Sequence, residues 1–225
     1  MKDEIFSLKE PQAQYGKAVQ KTLETEQEPV KNKVSLEEYL EMIADGTRRL
    51  EYHDGEIVDI QYATQAHGRI SMNLSRLIDT CLLEKDCEVY AGDREVWIEE
   101  CNKTFYPDLV VICGNEKTKQ MSKNVKATIN PSIVIEILSG STEKYDKTFK
   151  SKCYKKLKSM KQIIYVSQDE MNIYIESPTE NARQWLTTEY FEEEDIVPIG
   201  DCEILLKDIY RSVIFENQGE RAPHV

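Results

Sequence analysis

The sequence predicts an α/β (α+β) protein with a mixed β-sheet flanked by helices. Two apolar runs, residues 109–113 and 131–139, have the length and branched composition of strands that are buried on both faces. The segments around them alternate between helical spacing and strand-like alternation of apolar and polar residues. A chain of 225 residues is long enough to bury one substantial core, so a single main domain is expected.

Composition divides the chain into three parts. Residues 1–33 are polar with few apolar positions, so we expect a flexible or loosely docked extension. Residues 34–215 carry the patterned segments and form the predicted domain. Residues 216–225 are polar again and are expected to fray.

Local signals define the first elements of the domain. Ser35 and Glu38 have the spacing of a capping box, which predicts a helix beginning there. The Asp54-Gly55 pair predicts the turn of a hairpin over residues 50–62. A second helix with apolar residues at helical spacing begins near His67.

The remaining strands are expected in the middle and at the end of the domain. Residues 88–98 predict one strand that is bent or bulged at Gly92. The segment 114–130 predicts a long polar loop. Residues 162–167, 172–176 and 184–191 predict further strands of a partly solvated sheet.

Two carboxylates mark the candidate site. Asp108 directly precedes the first apolar strand, and Glu136 lies inside the second. A buried carboxylate without a partner costs several kcal/mol of stability. If these strands are neighbours, the two acids converge and can hold a hard divalent cation such as Mg²⁺. A salt bridge from Glu136 to a lysine of the next helix explains the same glutamate equally well.

The segment from Thr142 to Lys161 predicts a basic helix, with eight lysines and only two acids. Its apolar stripe must pack on the sheet, with Asp146 inside that stripe and Lys150 and Tyr154 along its border. The outward-facing lysines could line a phosphate-binding surface, although a solvated basic face is the commoner meaning of such a run. They are Lys144, Lys147, Lys155, Lys158 and Lys161.

Together these strings resemble the Uma-two family of proposed endonucleases, a branch of the PD-(D/E)XK restriction-endonuclease-like superfamily. The resemblance runs from about Val34 to Tyr210, and the order of its motifs is more specific than any one of them. The motifs are Pro107-Asp108, Glu136-Ile137-Leu138-Ser139, Asp146-x3-Lys150-x3-Tyr154 and Ile163-Ile164-Tyr165-Val166.

The resemblance implies a restriction-endonuclease-like core and a hydrolase that cuts nucleic-acid phosphodiester bonds, with DNA as the favoured substrate. It implies a Mg²⁺ (or Mn²⁺) cofactor held by Asp108 and Glu136. The superfamily lysine that follows the glutamate by two residues is replaced by Leu138. Lys150 is its natural substitute, and Lys150 with Tyr154 looks like the Gln-x3-Tyr pair of RecB-type nucleases. Tyr154 would then form a hydrogen bond with substrate phosphate or with Lys150.

Three further residues have supporting roles in this interpretation. Glu51 matches a family position that adds a carboxylate to the metal site, but its pattern favours an exposed strand glutamate. His67 is either a structural histidine, which is favoured, or a contact to substrate phosphate from the helix start. Asp146 either binds Lys150 or caps its helix.

Composition limits the partners and the compartment. A formal net charge of -12 argues against a protein that coats nucleic acid, although a nuclease needs only a local basic face. The six cysteines lack a C-x2-C pair and are expected to be reduced buried thiols. No apolar stretch is long enough to span a bilayer, so we expect a cytoplasmic protein without membrane contact.

Two rival interpretations stay open. A catalytically inactive nuclease-like binding or regulatory module would keep the fold and neutralise Glu136 with Lys150 instead of a metal. A protein with an incidental acidic pocket would bind neither metal nor nucleic acid. A homodimer is possible because cutting both strands of a duplex favours two active sites.

Overall fold

The computed structural model describes residues 33–44, 50–59, 63–140, 143–181 and 184–215. The extension predicted before residue 33 and the tail over 216–225 lie outside the described residues. The helices are α1 (Leu36–Met42), α2 (Gln65–Leu82), α3 (Glu143–Tyr145), α4 (Ser151–Tyr154) and α5 (Leu206–Ile209), with a π-helical turn at Asp146–Lys150 and a 3-10 turn at Glu99–Cys101. The strands are β1 (Leu50–His53), β2 (Glu56–Asp59), β3 (Cys87–Ala91), β4 (Val96–Ile98), β5 (Lys103–Phe105), β6 (Leu109–Cys113), β7 (Thr118–Gln120), β8 (Lys126–Thr128), β9 (Ile133–Leu138), β10 (Gln162–Ser167), β11 (Ile173–Pro178), β12 (Trp185–Tyr190), β13 (Ile196–Ile199) and β14 (Cys202–Leu205).

These strands form two large sheets and one small one. The first sheet has the order β2-β1-β5-β4-β8-β7, and the second has the order β12-β11-β10-β9-β6-β3. A two-stranded sheet pairs β13 with β14. Because β9 and β10 run parallel while the other pairs of the second sheet are antiparallel, the predicted mixed sheet is confirmed.

Strand β9 separates two hydrophobic cores. Ile133, Ile135 and Ile137 face a core completed by α2, α5 and the small sheet. Val134 and Leu138 face a second core shared with α4 and with β4 and β5 of the first sheet. Side chains alternate along a strand, so Glu136 belongs to this second side, where the first sheet and α4 meet.

Helix α2 is the longest described helix, with 18 residues. The Thr64 side chain accepts a hydrogen bond from the His67 N–H and caps the helix start. Ile70, Leu74 and Ile78 recur at helical spacing and are fully buried on the second sheet. None of the helices in the described part of the chain combines the length and apolarity needed to cross a membrane.

Several predicted elements are confirmed where the local signal was strong. Ser35 and Glu38 exchange both hydrogen bonds of the predicted capping box at the start of α1. Asp54 and Gly55 connect β1 and β2, both with positive φ as a tight hairpin turn requires. Strands β10, β11 and β12 also lie where the sequence predicts them.

Other predictions of secondary structure are wrong. Residues 88–98 do not form one bent strand, because the chain leaves the second sheet after β3 and enters the first sheet at β4. Gly92 permits this with a φ of 74°. The segment 114–130 is not a simple loop, since β7 and β8 form a hairpin there. The basic helix ends at Tyr154 instead of extending to about residue 161.

The expectation of reduced cysteines is also wrong, because all six are paired in disulfides. Sequence spacing cannot detect such pairs, since the partners lie 26, 52 and 121 residues apart and meet only in the fold. The pairs are Cys81–Cys202, Cys87–Cys113 across β3 and β6, and Cys101–Cys153.

Candidate active site

The two carboxylates predicted to converge lie side by side. Strand β6 pairs with β9, and Asp108 immediately precedes β6. An Asp108 carboxylate oxygen accepts a hydrogen bond of 2.6 Å from the Ile137 N–H, the residue after Glu136. The Asp108 carbonyl in turn accepts the Gly92 N–H at 2.8 Å, which fixes the strand mouth. The predicted neighbourhood of Asp108 and Glu136 is therefore present.

Lys150 lies at the centre of three buried carboxylates. Its Nζ is 3.3 Å from Glu136 Oε1, 3.5 Å from Glu51 Oε1 and 3.2 Å from Asp146 Oδ1. The exposed fraction of Lys150 is 8% and that of each carboxylate is 5% or less. One ammonium thus neutralises part of a larger negative charge in a water-poor environment.

Burial and this excess of carboxylate together shift the pKa values of Glu136 and Lys150. Burial raises the pKa of Glu136 well above its usual range, and the charges of Asp146 and Asp108 add to the effect against the opposing charge of Lys150. Burial opposes the charged form of Lys150, but the three carboxylates outweigh it and raise its pKa well above normal. Lys150 is accordingly a cation at neutral pH.

A π-helical turn carries two of these residues. The Ser151 N–H bonds to the Asp146 carbonyl five residues back, a widened turn that is frequent at functional sites. Asp146 and Lys150 lie within it and both point into the protein. Of the two roles predicted for Asp146, binding Lys150 is the one observed. Tyr154, on α4, is fully buried and donates a hydrogen bond of 2.7 Å to Glu136 Oε1.

Glu51 is not the exposed strand residue that its pattern favours. Its exposed fraction is 5%, because β1 lies inside the first sheet and faces the helix that carries Lys150. Burial opposes its charge, but Lys150, His53 and the Tyr106 N–H together lower its pKa. The Tyr106 N–H donates to Glu51 Oε1 at 3.0 Å.

Two aromatic residues of the site were missed by sequence reasoning. His53 Nε2 lies 2.9 Å from Glu51 Oε2, and its Nδ1 lies 2.8 Å from the Tyr145 hydroxyl. The two rings stack with centroids 5.6 Å apart. The available signal was the Glu51-x-His53 spacing, which places both side chains on one face of a strand.

His67 contacts the other end of the site. Its Nε2 lies 2.9 Å from Asp108 Oδ1, and its side chain is 20% exposed. The start of α2 is therefore adjacent to the first predicted metal ligand. The imidazole has a carboxylate partner and is partly open to solvent, so the structural role and the contact to substrate phosphate both stay predictions.

Comparison with known proteins places this site in a family. The model of the Uma2 family, described as "Putative restriction endonuclease", matches residues 36–203. That span holds every carboxylate and lysine of the site and well over half of the 225 residues. The chain belongs to the Uma2 family.

Relatives and a solved structure agree with this assignment. The uncharacterized protein sll1609 of Synechocystis sp. (strain ATCC 27184 / PCC 6803 / Kazusa) is 32% identical over 156 residues, which cover 69% of this chain and 86% of that protein. The uncharacterized protein slr1290 of the same organism is 28% identical over 185 residues, covering 81% and 94%. The crystal structure of "a putative nuclease belonging to DUF820" from Anabaena variabilis ATCC 29413 superposes with a TM-score of 0.60 at 18% identity, covering 78% of this chain and 97% of that one. The restriction-endonuclease-like fold is thereby confirmed.

The Uma2 chain replaces the usual strand lysine with Leu138, and the structure shows what that position does. Leu138 points to the same side of β9 as Glu136 and packs in the core with Cys153 and Tyr154. A lysine there would have to bury its amine in apolar surroundings. The only ammonium found beside Glu136 within the described residues is that of Lys150.

The donor set of this Uma2 site suits a hard cation. Three carboxylates surround Lys150, and Asp108 lies beside Glu136. Burial raises the pKa of Glu136, and the charges of Asp146 and Asp108 add to that rise. Among residues 33–215 as far as they are described, no three carboxylate, imidazole or thiolate groups converge as in a complete metal centre. Mg²⁺ commonly takes one or two carboxylates and completes its shell with water and substrate phosphate, so Asp108 and Glu136 fit that mode.

The outer lysines of the Uma2 site helix are not equivalent. Lys147 bonds to Glu143 at 2.7 Å, and Lys155 bonds to Glu176 at 2.7 Å. Lys144, Lys158 and Lys161 are exposed and make no ion pair with a described residue. A phosphate-binding role for all five stays a prediction, and two of them already have carboxylate partners.

Proposed function

We propose that this protein is an endonuclease that hydrolyses phosphodiester bonds of nucleic acid, with DNA as substrate and Mg²⁺ or Mn²⁺ held by Asp108 and Glu136. Membership of the Uma2 family and the likeness to the Anabaena protein support a nuclease. The observation that carries the proposal is the fully buried Glu136 in a central strand, adjacent to Asp108 and paired with Lys150. The bound cation would polarise the scissile phosphate and lower the pKa of the attacking water.

In this proposal Lys150 acts as a positive charge and not as a base. The three carboxylates keep it protonated, so it cannot accept a proton from water at neutral pH. A buried ammonium stabilises negative charge that develops on a phosphate oxygen far more effectively than a solvated one does. Lys150 therefore replaces the strand lysine by placing a positive charge at the site from the helix.

The residues around Lys150 hold it and Glu136 in place. Glu51 and Asp146 form ion pairs with Lys150. His53 contacts Glu51, and Tyr145 in turn contacts His53. Tyr154 donates to Glu136, whereas the sequence predicts a contact to phosphate or to Lys150. We assign Tyr154 the role of positioning one oxygen of Glu136.

His67 is the candidate for a group that changes partner when substrate binds. It pairs with Asp108 Oδ1 at the solvent-accessible side of the site. A cation bound to Asp108 would compete with the imidazole for that oxygen. His67 would then be free to donate to a substrate phosphate, which is the functional alternative predicted from the sequence.

A second candidate function is an inactive nuclease-like binding or regulatory module. The observation that favours it is the direct pairing of Glu136 with Lys150 at 3.3 Å, which neutralises the glutamate without a metal. The two candidates differ in metal affinity. An enzyme must bind Mn²⁺ through Asp108, whereas the module has no use for it.

Nicking of supercoiled plasmid DNA with Mg²⁺ or Mn²⁺ tests the proposal. The wild type should nick only with metal, and Asp108→Ala should not nick. Asp79→Ala is the matched control, because it removes the same side chain from an exposed position of α2. Conversion to linear plasmid in single encounters would favour a homodimer.

The negative outcome is equally informative. No metal-dependent nicking, together with no Mn²⁺ affinity by calorimetry, would refute the enzyme and leave the binding module. Nicking that persists in Asp108→Ala at the wild-type rate would exclude the proposed site. Mn²⁺ binding without nicking of DNA would direct the same assay to RNA.

A further inference from the structure

A cavity distinct from the carboxylate site is lined by four lysines. Its volume is about 700 Å³, and its walls come from β4, the 3-10 turn after it, β7, and the segment that follows α4. The lysines are Lys117, Lys119, Lys156 and Lys158, and two acids, Glu99 and Glu100, also line it. We name it the lysine groove. Such a concentration of positive charge is unusual in a protein of net charge -12.

The lysines of the groove are largely uncommitted to carboxylates. Lys156 pairs with Glu100 at 3.9 Å, but both side chains are substantially exposed, so the pair contributes little. Lys119 lies over the Trp97 ring at 3.9 Å, which fixes its amine without neutralising it. Lys117 and Lys158 are exposed and form no ion pair with any described residue.

The groove contrasts with the predicted basic face of the site helix. There, Lys147 and Lys155 each hold a carboxylate at 2.7 Å and are unavailable to an incoming anion without breaking that bond. Of the five lysines predicted to line a phosphate-binding surface, Lys158 alone lines the groove. The groove therefore offers lysines that are not paired with carboxylates, unlike Lys147 and Lys155 of the helix face.

The groove is joined directly to the site helix. Its wall at Lys156 begins two residues after Tyr154, which holds Glu136. The disulfide Cys101–Cys153 also connects the 3-10 turn, next to Glu100, with α4. Whatever binds in the groove therefore contacts the same short segment that carries the positioning tyrosine.

We propose that the lysine groove binds the sugar-phosphate backbone of the nucleic-acid substrate outside the scissile position. The inference rests on the proposed function for its ligand and deepens it by naming a backbone-anchoring surface. Lysines that contact phosphates give affinity without sequence preference and position the duplex relative to the reacting group. Lys117, next to β7, and Lys158, after α4, are the predicted phosphate contacts.

Salt-dependent binding of a short fluorescein-labelled DNA duplex tests the groove. Fluorescence anisotropy is measured in EDTA, so that cleavage is absent, between about 50 and 200 mM salt. The double variant Lys117→Ala/Lys158→Ala should bind more weakly, and the slope of log K against log salt should fall by about 2. The matched control is Lys85→Ala/Lys123→Ala, which removes the same charge from exposed lysines outside the groove.

The outcomes separate the groove from the catalytic proposal. Equal slopes in wild type and groove variant, or equal losses in groove and control variants, would overturn the inference, as would absence of binding by the wild type. Plasmid nicking with an unchanged slope would leave the endonuclease intact and reject the groove. Loss of slope in a protein that never nicks would support the groove and reject the enzyme.

Discussion

Replacement of Lys150 by methionine gives the most direct measure of the buried charge cluster. Lys150→Met keeps most of the side-chain volume but leaves three carboxylates, each 5% exposed or less, without their shared cation. Removing one partner of a buried ion pair costs about 3–5 kcal/mol, because the remaining charge stays desolvated. We expect a loss of this size in the free energy of unfolding at pH 8.

The loss should depend on pH. In the wild type the pKa of Lys150 is raised, so its contribution is complete at neutral pH and disappears only as pH rises through that raised pKa. In the variant the three carboxylates lose their shared cation, and the pKa of Glu136 rises further above its usual range. Protonation relieves this excess negative charge, so the deficit should be smaller at pH 5 than at pH 8.

Urea denaturation at both pH values measures the effect, with Lys147→Met as the control. The Lys147–Glu143 pair is partly exposed, at 26% and 51%, and its loss should cost at most about 1 kcal/mol. A Lys150→Met deficit no larger than that of the control would refute the buried-cluster reasoning. So would a deficit that is identical at pH 5 and pH 8.

Three other measurements test separate parts of the structure. Burial raises the pKa of Glu95 to about 7, so the free energy of unfolding of the wild type should fall as pH rises from about 4.5 to 7. Glu95→Gln should remove up to about 3 kcal/mol of that fall, measured by urea denaturation. Parallel stability–pH curves for wild type and variant would contradict this prediction. Tyr154→Phe deletes the hydrogen-bond donor to Glu136 and should cost about 1.5–3 kcal/mol of stability in thermal unfolding. The acid limb of the pH profile of the nicking rate should shift to higher pH. An acid limb at the wild-type pH would contradict the positioning role of Tyr154. Alkylation without reductant, read by mass spectrometry, should label no cysteine, and Cys101→Ser/Cys153→Ser should lower stability by about 2–4 kcal/mol. Full labelling of the wild type would restore the expectation of reduced thiols.

The parts of the fold that the sequence predicts well depend on neighbours in the chain. A capping box such as Ser35 with Glu38, or a turn such as Asp54-Gly55, involves residues within a few positions of one another. The separation of β3 from β4 does not, because Gly92 permits a bend but cannot say which sheet the next strand joins. The β7–β8 hairpin is similarly hidden, since each of its strands is only three residues long and contains mostly polar residues.

The candidate site shows the same division. Asp108, Glu136 and Lys150 could be grouped from one anomaly, a carboxylate in an apolar strand that needs a cation. The contact of Tyr145 with His53 could not, because the two residues lie 92 positions apart and meet only in the fold. Distance along the chain, and not weakness of the interaction, hides these contacts.

The position of Glu136 on β9 also limits how the central strand can align during folding. Its odd-numbered neighbours, Ile135 and Ile137, face a core built wholly from apolar side chains. A slip of one residue would turn the carboxylate into that core, far from Lys150 and Tyr154. Misaligned pairing of β9 with β6 or β10 therefore carries the full penalty of a solitary buried anion. The residue proposed for chemistry thus also selects the correct alignment of the sheet.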